Sequence, residues 1–391
     1  MGHDLTGLAG TSPILCFSHL RWNFVFQRPQ HLLRRAARSR DVYFFEEPVF
    51  EQGVQPRLEK TLSPERVRVL TPVLPAGINA PQITSALRML VDRLVASIES
   101  GPPLLWYYTP MALPFSRHLN AALRVYDNMD ELSAFNGAHP RMIAMERELF
   151  RKVDVVFTGG QSLYESKRKR HPNVHAFPSS IDVPHFAGAR RGETVEPDDQ
   201  RSIGAPRIGF FGVIDERMDL DLVRRAAALR PDWHFVMIGP VVKIDPASLP
   251  QAPNLHWLGS KSYAELPSYL RGWDAGFMPF ALNEATRFIS PTKTPEFLAA
   301  GLPVVSTPIR DVIRPYGELG LVEIGATADE VVERIEMLLA RPKEEWLKKV
   351  DRHLAGMSWD ATWAAMGELM QKAAPRQPHS LPVTAEETLH V

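Results

Sequence analysis

"SPTKTPEFLAAGLPVVSTP" (residues 290–308) is the stretch on which the reading of the fold turns. A polar loop bounded by Pro291 feeds a short helix, and the helix runs straight into a strand beginning at Leu302. Proline suits a loop and a first helical turn, where a missing N–H costs little, and Gly301 stands at the C′ position that closes a helix. The expected free N–H groups of Thr292, Lys293 and Thr294 favour an anion, and Ser290, Thr292 and Lys293 add hydroxyls and a positive charge. A diphosphate suits such a place. Glu296, one step further on, has two readings: a first-turn carboxylate complementing the helix dipole, or an acceptor for two sugar hydroxyls.

Working outward, the same passage between strand and helix recurs. "PILCFS" (13–18), "DVYFFE" (41–46), "LLWYYT" (104–109), "LRVYD" (123–127) and "VDVVFT" (153–158) read as strands, and residues 81–100 have helical spacing. After a polar stretch at 187–205 the alternation restarts with "RIGFFGV" (207–213), "WHFVMIG" (233–239), "NLHWLG" (254–259) and "DAGFMPF" (274–280). The expected architecture is α/β, two doubly wound Rossmann-like domains facing a cleft. The boundaries are a first domain at 1–186, a linker at 187–205, a second domain at 206–357, a C-terminal helix at 358–374 and a tail at 375–391.

Composition excludes several classes. With 391 residues and 45% hydrophobic content, two or three domains can each bury a core. No run of about 18 apolar residues is present, so no membrane span is expected. The first thirteen residues lack the pattern of a signal peptide, and a cytoplasmic location follows as the default. A single cysteine, Cys16, forms no disulfide framework or cysteine-based zinc site. Charge is balanced overall, but residues 1–185 hold 22 Lys+Arg against 17 Asp+Glu. The densest part, residues 21–40, has six arginines and no acid. That excess is too small for nucleic acid and points to an anionic membrane surface or a phosphorylated acceptor, with Arg34, Arg35 and Arg38 free on one helix face. A plain solvated helix face is the alternative.

The second domain opens with "GFFGVIDERMDLDLV" (209–223). Gly212 at the end of a first strand lets a phosphate-bearing ligand approach the backbone, and Arg217 in the following loop is a possible diphosphate partner. Asp219 and Asp221 read as helix capping, and the absence of G-x-G-x-x-G argues against a dehydrogenase. In "VYDNMDELSAF" (125–135), Asp127, Asp130 and Glu131 gather three carboxylates behind a strand. Asp130, then Asp127, are the candidates for a general base, with loop and cap carboxylates as the structural alternative.

Residues 292–308 resemble the "EAMAAGLPVVAT" helix of nucleotide-sugar-dependent glycosyltransferases of the GT-B fold. "VDVVFTGGQSLYESKRKRHPNVHAFPSSIDVPHF" and "NLHWLGSKSYAELPSYLRGWDAGFMPF" are similar to two further segments of that family. "HLRWNFVFQRPQHLL" and "VYDNMDELSAF" resemble a bacterial subgroup associated with exopolysaccharide and cell-surface glycan synthesis. The resemblance implies a hexosyltransferase using a nucleoside diphosphate sugar, UDP-linked, with no cofactor and no metal. Its acceptor would be a glycan or a lipid-linked sugar, its location cytoplasmic or peripheral on the inner membrane face, and its course retaining by preference. His19, Arg21, Trp22 and Arg28 follow the first strand, where the family has an acceptor loop. Three departures stand out: Phe288 occupies the first position of the family's Glu-x7-Glu pair, Val213 replaces a basic residue, and "SSID" replaces "NGVD". An epimerase of the same fold and a non-catalytic scaffold are the rival readings.

Overall fold

The computed structural model describes residues 12–192 and 194–374, so the tail proposed at 375–391 and most of the first thirteen residues lie outside the described part. The first domain is built on β1 (Ile14–Phe17), β2 (Val42–Phe45), β3 (Val49–Glu51), β4 (Arg57–Leu62), β5 (Arg68–Pro75), β6 (Leu104–Tyr107), β7 (Leu123–Asn128), β8 (Val155–Thr158) and β9 (Val174–Ala176). These pair in the order β3-β5-β2-β1-β6-β7-β8-β9, parallel throughout, while β4 lies antiparallel on β5. β1 is central, with Ile14 opposite Val42 on one side and Leu104 on the other. All four of its residues are buried, as a strand covered by helices on both faces must be. The β4–β5 hairpin was not legible. "RLEKTL" is exposed at five of six positions and so lacks the alternation that marks a half-buried strand.

The second domain holds β10 (Arg207–Phe211), β11 (His234–Ile238), β12 (Leu255–Gly259), β13 (Ala275–Met278), β14 (Val304–Ser306) and β15 (Glu323–Ile324), in the parallel order β12-β11-β10-β13-β14-β15. Each sheet therefore reverses its winding direction, next to β1 in one domain and next to β10 in the other. Ligands of doubly wound sheets bind beyond the strand ends at such reversals. Among the described residues no helix is long and apolar enough to cross a membrane.

The stretch 187–205 is more than a polar connector. It holds the end of helix Val183–Arg191 and the short helix Asp198–Arg201. Gln200, fully buried, accepts from the Trp273 indole N–H (2.7 Å) and donates to the Tyr269 carbonyl (3.0 Å). A polar residue satisfied in the interior reads from sequence like one in solvent, which is why this stretch looked like a bare linker.

Helix Trp359–Ala373 starts at Ser358, whose hydroxyl accepts from the Ala361 N–H (3.0 Å). It returns to the first domain, where Met366 and Met370 join Leu32 and Leu33 in one core cluster. Trp359 stacks on His31 with ring centres 4.5 Å apart and planes at 6°. This contact corrects the expectation of a free arginine face on helix Arg28–Ala36. Asp360 takes both Arg35 (2.7 Å) and Arg38 (2.8 Å), and Arg34 pairs with Asp182 (3.2 Å). The C-terminal helix occupies the side that the sequence suggested was open.

Trp359 is 2% exposed and bridges two distant parts of the chain. Trp359→Ala is expected to cost about 3–5 kcal/mol, the usual loss for truncating a buried tryptophan. Urea unfolding followed by circular dichroism checks this, and a loss below about 1 kcal/mol would mean the helix is held mainly by its other contacts.

Candidate active site

Between the domains lies a cavity of about 360 Å³, continuous in its lining with a smaller one of about 160 Å³. Val25, Phe26, Gly212 and Lys293 line both, so the two lobes meet over the end of β10.

The floor is made by backbone. β10 and β11 run in register to Phe211 and Ile238, and the next residues, Gly212 and Gly239, sit at φ +142° and +149°. A Cβ on Gly239 would lie 1.7 Å from the Gly212 carbonyl oxygen, and one on Gly212 would lie 2.6 Å from Lys293 Cε. Only glycine takes both this conformation and this approach. Gly212 was read from the sequence and Gly239 was missed, although "VMIG" ends its strand in the same way as "GFFG".

Helix Lys293–Ala299 supplies the polar wall. Its start differs from the expected open anion site, because the Thr294 N–H already donates to the Pro291 carbonyl (3.2 Å) and the helix is only seven residues long. The positive charge comes chiefly from a side chain. Lys293 Nζ touches Thr292 Oγ1 (3.2 Å) and lies 5.6 Å from the centre of the Phe211 ring, with no ion-pair partner among the described residues. Burial lowers its pKa, opposed by Glu296, while Arg217 lowers it further. Glu296 is 8% exposed and its Oε2 is buried without a donor. Burial pushes this carboxyl up to about 7, with Lys293 pulling the other way. A buried acceptor with no donor is rare in a finished protein interior, and it faces a cavity.

Across the smaller lobe the first domain sorts its three carboxylates. Asp127 is fully buried and held by Arg28, whose Nε lies 3.0 Å from both carboxylate oxygens while Nη1 donates to the Phe177 carbonyl (2.7 Å). Glu131 pairs with Lys167 (2.7 Å), a fully buried lysine that also holds Glu146 at 2.8 Å. Asp130 alone lines the cleft and has no ion-pair partner among the described residues. Its carboxyl is raised by burial, against the pull of Arg217. Asn128 Nδ2 donates to the Asp130 carbonyl (2.9 Å) and fixes the turn.

Of the other sequence candidates, Ser290, Thr292, Arg217 and Arg28 line the smaller lobe, and Trp22 and Glu296 the larger. Arg217 is held in two-point contact by Asp215 (2.9 and 2.7 Å) and lies 5.4 Å from the Phe135 ring of the first domain. His19, Arg21 and Asp127 line neither lobe. Arg21 is tied to Glu46 (3.0 Å), and the His19 ring is kept neutral by burial, its pKa lowered to about 4. Sequence reasoning also missed Lys261 and Tyr263, which close the larger lobe from the segment after β12. Their polar setting in "SKSYAE" carries no periodic signal. Among the described residues no group of three or more His, Cys, Asp or Glu is placed to hold a metal ion.

Residues 205–341, the domain that contributes Gly212, Lys293 and Glu296, match the family described as glycosyl transferases group 1. That segment is similar to the group 1 glycosyl transferases, and the whole chain has a GT-B fold. A relative is the Bacillus subtilis (strain 168) protein named "Putative teichuronic acid biosynthesis glycosyltransferase TuaH", 26% identical over 293 residues, covering 69% of this chain and 72% of that one. Among solved structures, the alpha,alpha-trehalose-phosphate synthase (UDP-forming) of Burkholderia xenovorans, in complex with glucose-6-phosphate, superposes with a TM-score of 0.67 at 11% identity. That match covers 93% of this chain and 99% of the synthase. The sucrose-phosphate synthase of Thermosynechococcus elongatus gives 0.66 at 16% identity, covering 92% and 98%. In this GT-B frame the two lobes occupy the crevice between the sheets.

Glu296 also makes a pH prediction. Its folded pKa of about 7 lies above the ordinary 4.5, so between these values the folded state binds more protons than the unfolded. Stability from this group is complete below pH 4.5 and is lost as pH rises through 7. Glu296→Gln, which cannot ionise, should therefore gain on the wild type from pH 5 to 8, by on the order of 2–3 kcal/mol at the upper end. Parallel urea titrations at the two pH values check it. A constant difference would place the carboxylate in better-solvated surroundings.

Proposed function

We propose that this protein transfers a hexose from a UDP-linked donor to a hydroxyl of a glycan or lipid-linked acceptor in surface polysaccharide synthesis. The observation that carries the reading is the pairing, over one glycine floor, of a lysine with no ion-pair contact among the described residues and a buried carboxylate oxygen without a donor. A nucleoside diphosphate completes both. Its phosphates lie over Gly212 against Lys293, with the Ser290 and Thr292 hydroxyls in reach of the same lobe, and its ribose hydroxyls donate to Glu296. The base then extends past Gly239 and Pro240 towards Lys261 and Tyr263, and the sugar enters the smaller lobe towards Asp130 and Arg28.

In the reaction the bond from the sugar's anomeric carbon to the phosphate oxygen breaks, and one to the acceptor oxygen forms. Lys293 and Arg217 supply positive charge where the departing diphosphate gathers negative charge, the term that contributes most in reactions of this kind. The proposed course is retaining, with the departing phosphate taking the acceptor proton and Asp130 orienting the acceptor hydroxyl. An inverting course gives Asp130 the proton itself, and its unpaired, burial-raised carboxyl favours that second reading. The UDP-forming synthase and the teichuronic acid relative support the choice of donor and acceptor class.

Glu296→Ala is expected to weaken UDP binding about 10- to 150-fold, the loss of charge-assisted hydrogen bonds of about 1.5–3 kcal/mol. Titration calorimetry reads it, and unchanged affinity removes Glu296 from the donor site. Asp130→Asn should leave UDP affinity unchanged. A fall in turnover of about 10²–10⁴ assigns Asp130 as the base, whereas a smaller fall with the anomeric configuration retained supports the phosphate-assisted course. Conversion of the donor to a free epimerised sugar, or no turnover at all with UDP bound, would replace transfer by the epimerase or scaffold reading.

A further inference from the structure

A further cavity, of about 390 Å³, lies at the C-terminal end of helix Arg28–Ala36 and is lined by first-domain residues. Its walls carry Arg38, Arg40, Arg66 and Arg68, with Asp41 as the sole acid. Asp41 is engaged by Arg68 (2.5 Å), and Arg38 shares Asp360 with Arg35. Arg40 and Arg66 have no ion-pair partner among the described residues. Arg40 Nε is buried without an acceptor, and its Nη1 makes only a long bond to the Ser12 carbonyl (3.3 Å). Guanidinium donors left open inside a concavity are costly unless an anion completes them.

Arg66 adds an independent observation. It stands at φ +67° in the turn joining β4 to β5, a conformation that glycine or asparagine holds at lower cost. The turn is closed by the Arg66 N–H to the Ser63 carbonyl (2.9 Å) and the Ser63 N–H to the Val67 carbonyl (2.9 Å). The side chain so placed lines the arginine cavity, while Pro64 and Glu65 of the same turn line the large lobe of the cleft. Arginine at a position that favours glycine fits a site in which the side chain is used.

We propose that this cavity is an anion site for a phosphate group, distinct from the donor site, with Arg40 and Arg66 as its principal ligands. Arginine suits phosphate because its planar fork presents paired donors. The phosphate is either that of a lipid headgroup at an anionic membrane surface, for which the neighbouring Leu62 at 68% exposure provides an apolar contact, or that of a soluble phosphorylated compound. The inference does not depend on the donor reading of the cleft.

The experiment uses the full chain with UDP held in excess, titrated with inorganic pyrophosphate, and in parallel mixed with vesicles of phosphatidylglycerol or of phosphatidylcholine. Arg66→Gly is the decisive variant. Glycine fits φ +67°, so its melting temperature should hold or rise while anion binding falls about tenfold or more. Arg40→Gln should weaken binding likewise, and Arg57→Gln, on the exposed strand β4 outside the cavity, should leave it unchanged. Binding of phosphatidylglycerol vesicles that pyrophosphate competes away identifies the headgroup as the source. Binding of pyrophosphate without vesicles identifies a soluble ligand. Pyrophosphate and vesicle binding both undiminished in Arg66→Gly and Arg40→Gln overturns the proposal, as does the absence of either binding in the wild type. Loss of UDP affinity in Glu296→Ala, with the arginine cavity intact, bears on the cleft alone.

Discussion

Everything in the cleft rests on the contact between two strand ends. Gly239 comes so close to the Gly212 carbonyl that a methyl group on it would fall 1.7 Å from that oxygen. Both residues sit at positive φ, which an L side chain tolerates poorly. The result is a floor of bare backbone between β10 and β11, with Lys293 lying across it. A side chain at either position would fill the crevice or push the lysine away. The open volume between the domains therefore follows from two hydrogen atoms where other residues carry carbon.

The charges around that floor are arranged by burial. Taking an ion pair out of water costs several kcal/mol per ion, so such pairs hold geometry more than they add stability. Arg28 with Asp127 ties a helix to the end of β7 and to the Phe177 carbonyl, and Lys167 with Glu131 and Glu146 anchors the loop beyond it. Removing either cation would leave a carboxylate uncompensated inside the domain. With two carboxylates neutralised in this way, the one between them, Asp130, is presented to the cleft. Its isolation is built by its neighbours.

The two domains are also locked at several points around the rim of the cavity. Tyr263 stacks between Phe26 (4.6 Å) and His185 (4.2 Å), beneath the His31–Trp359 pair. Asp311 of the second domain accepts from the Ser162 N–H (3.0 Å) at the start of a first-domain helix. Phe135 of the first domain lies against Arg217 and Lys243 of the second, at 5.4 and 4.8 Å. These contacts come from loops and helix ends, while the sheets stay apart. That separation keeps the crevice open while fixing its walls.

The sequence by itself determined the alternation of strand and helix, the two-sheet plan, Gly212, and the helix that carries Lys293 and Glu296. Those are local properties: periodicity, a glycine at a strand end and a proline-bounded helix start are written in adjacent residues. Only the tertiary structure decided which of Asp127, Asp130 and Glu131 is free, since each is defined by a cation or a gap at 28, 167 or 217. The same holds for the arginines in and just after helix Arg28–Ala36: Arg34 meets Asp182, and Arg35 and Arg38 meet Asp360, more than three hundred residues away. Burial and pairing belong to neighbours in space. A sequence read in order has no distance between residue 35 and residue 360, and the fold supplies it.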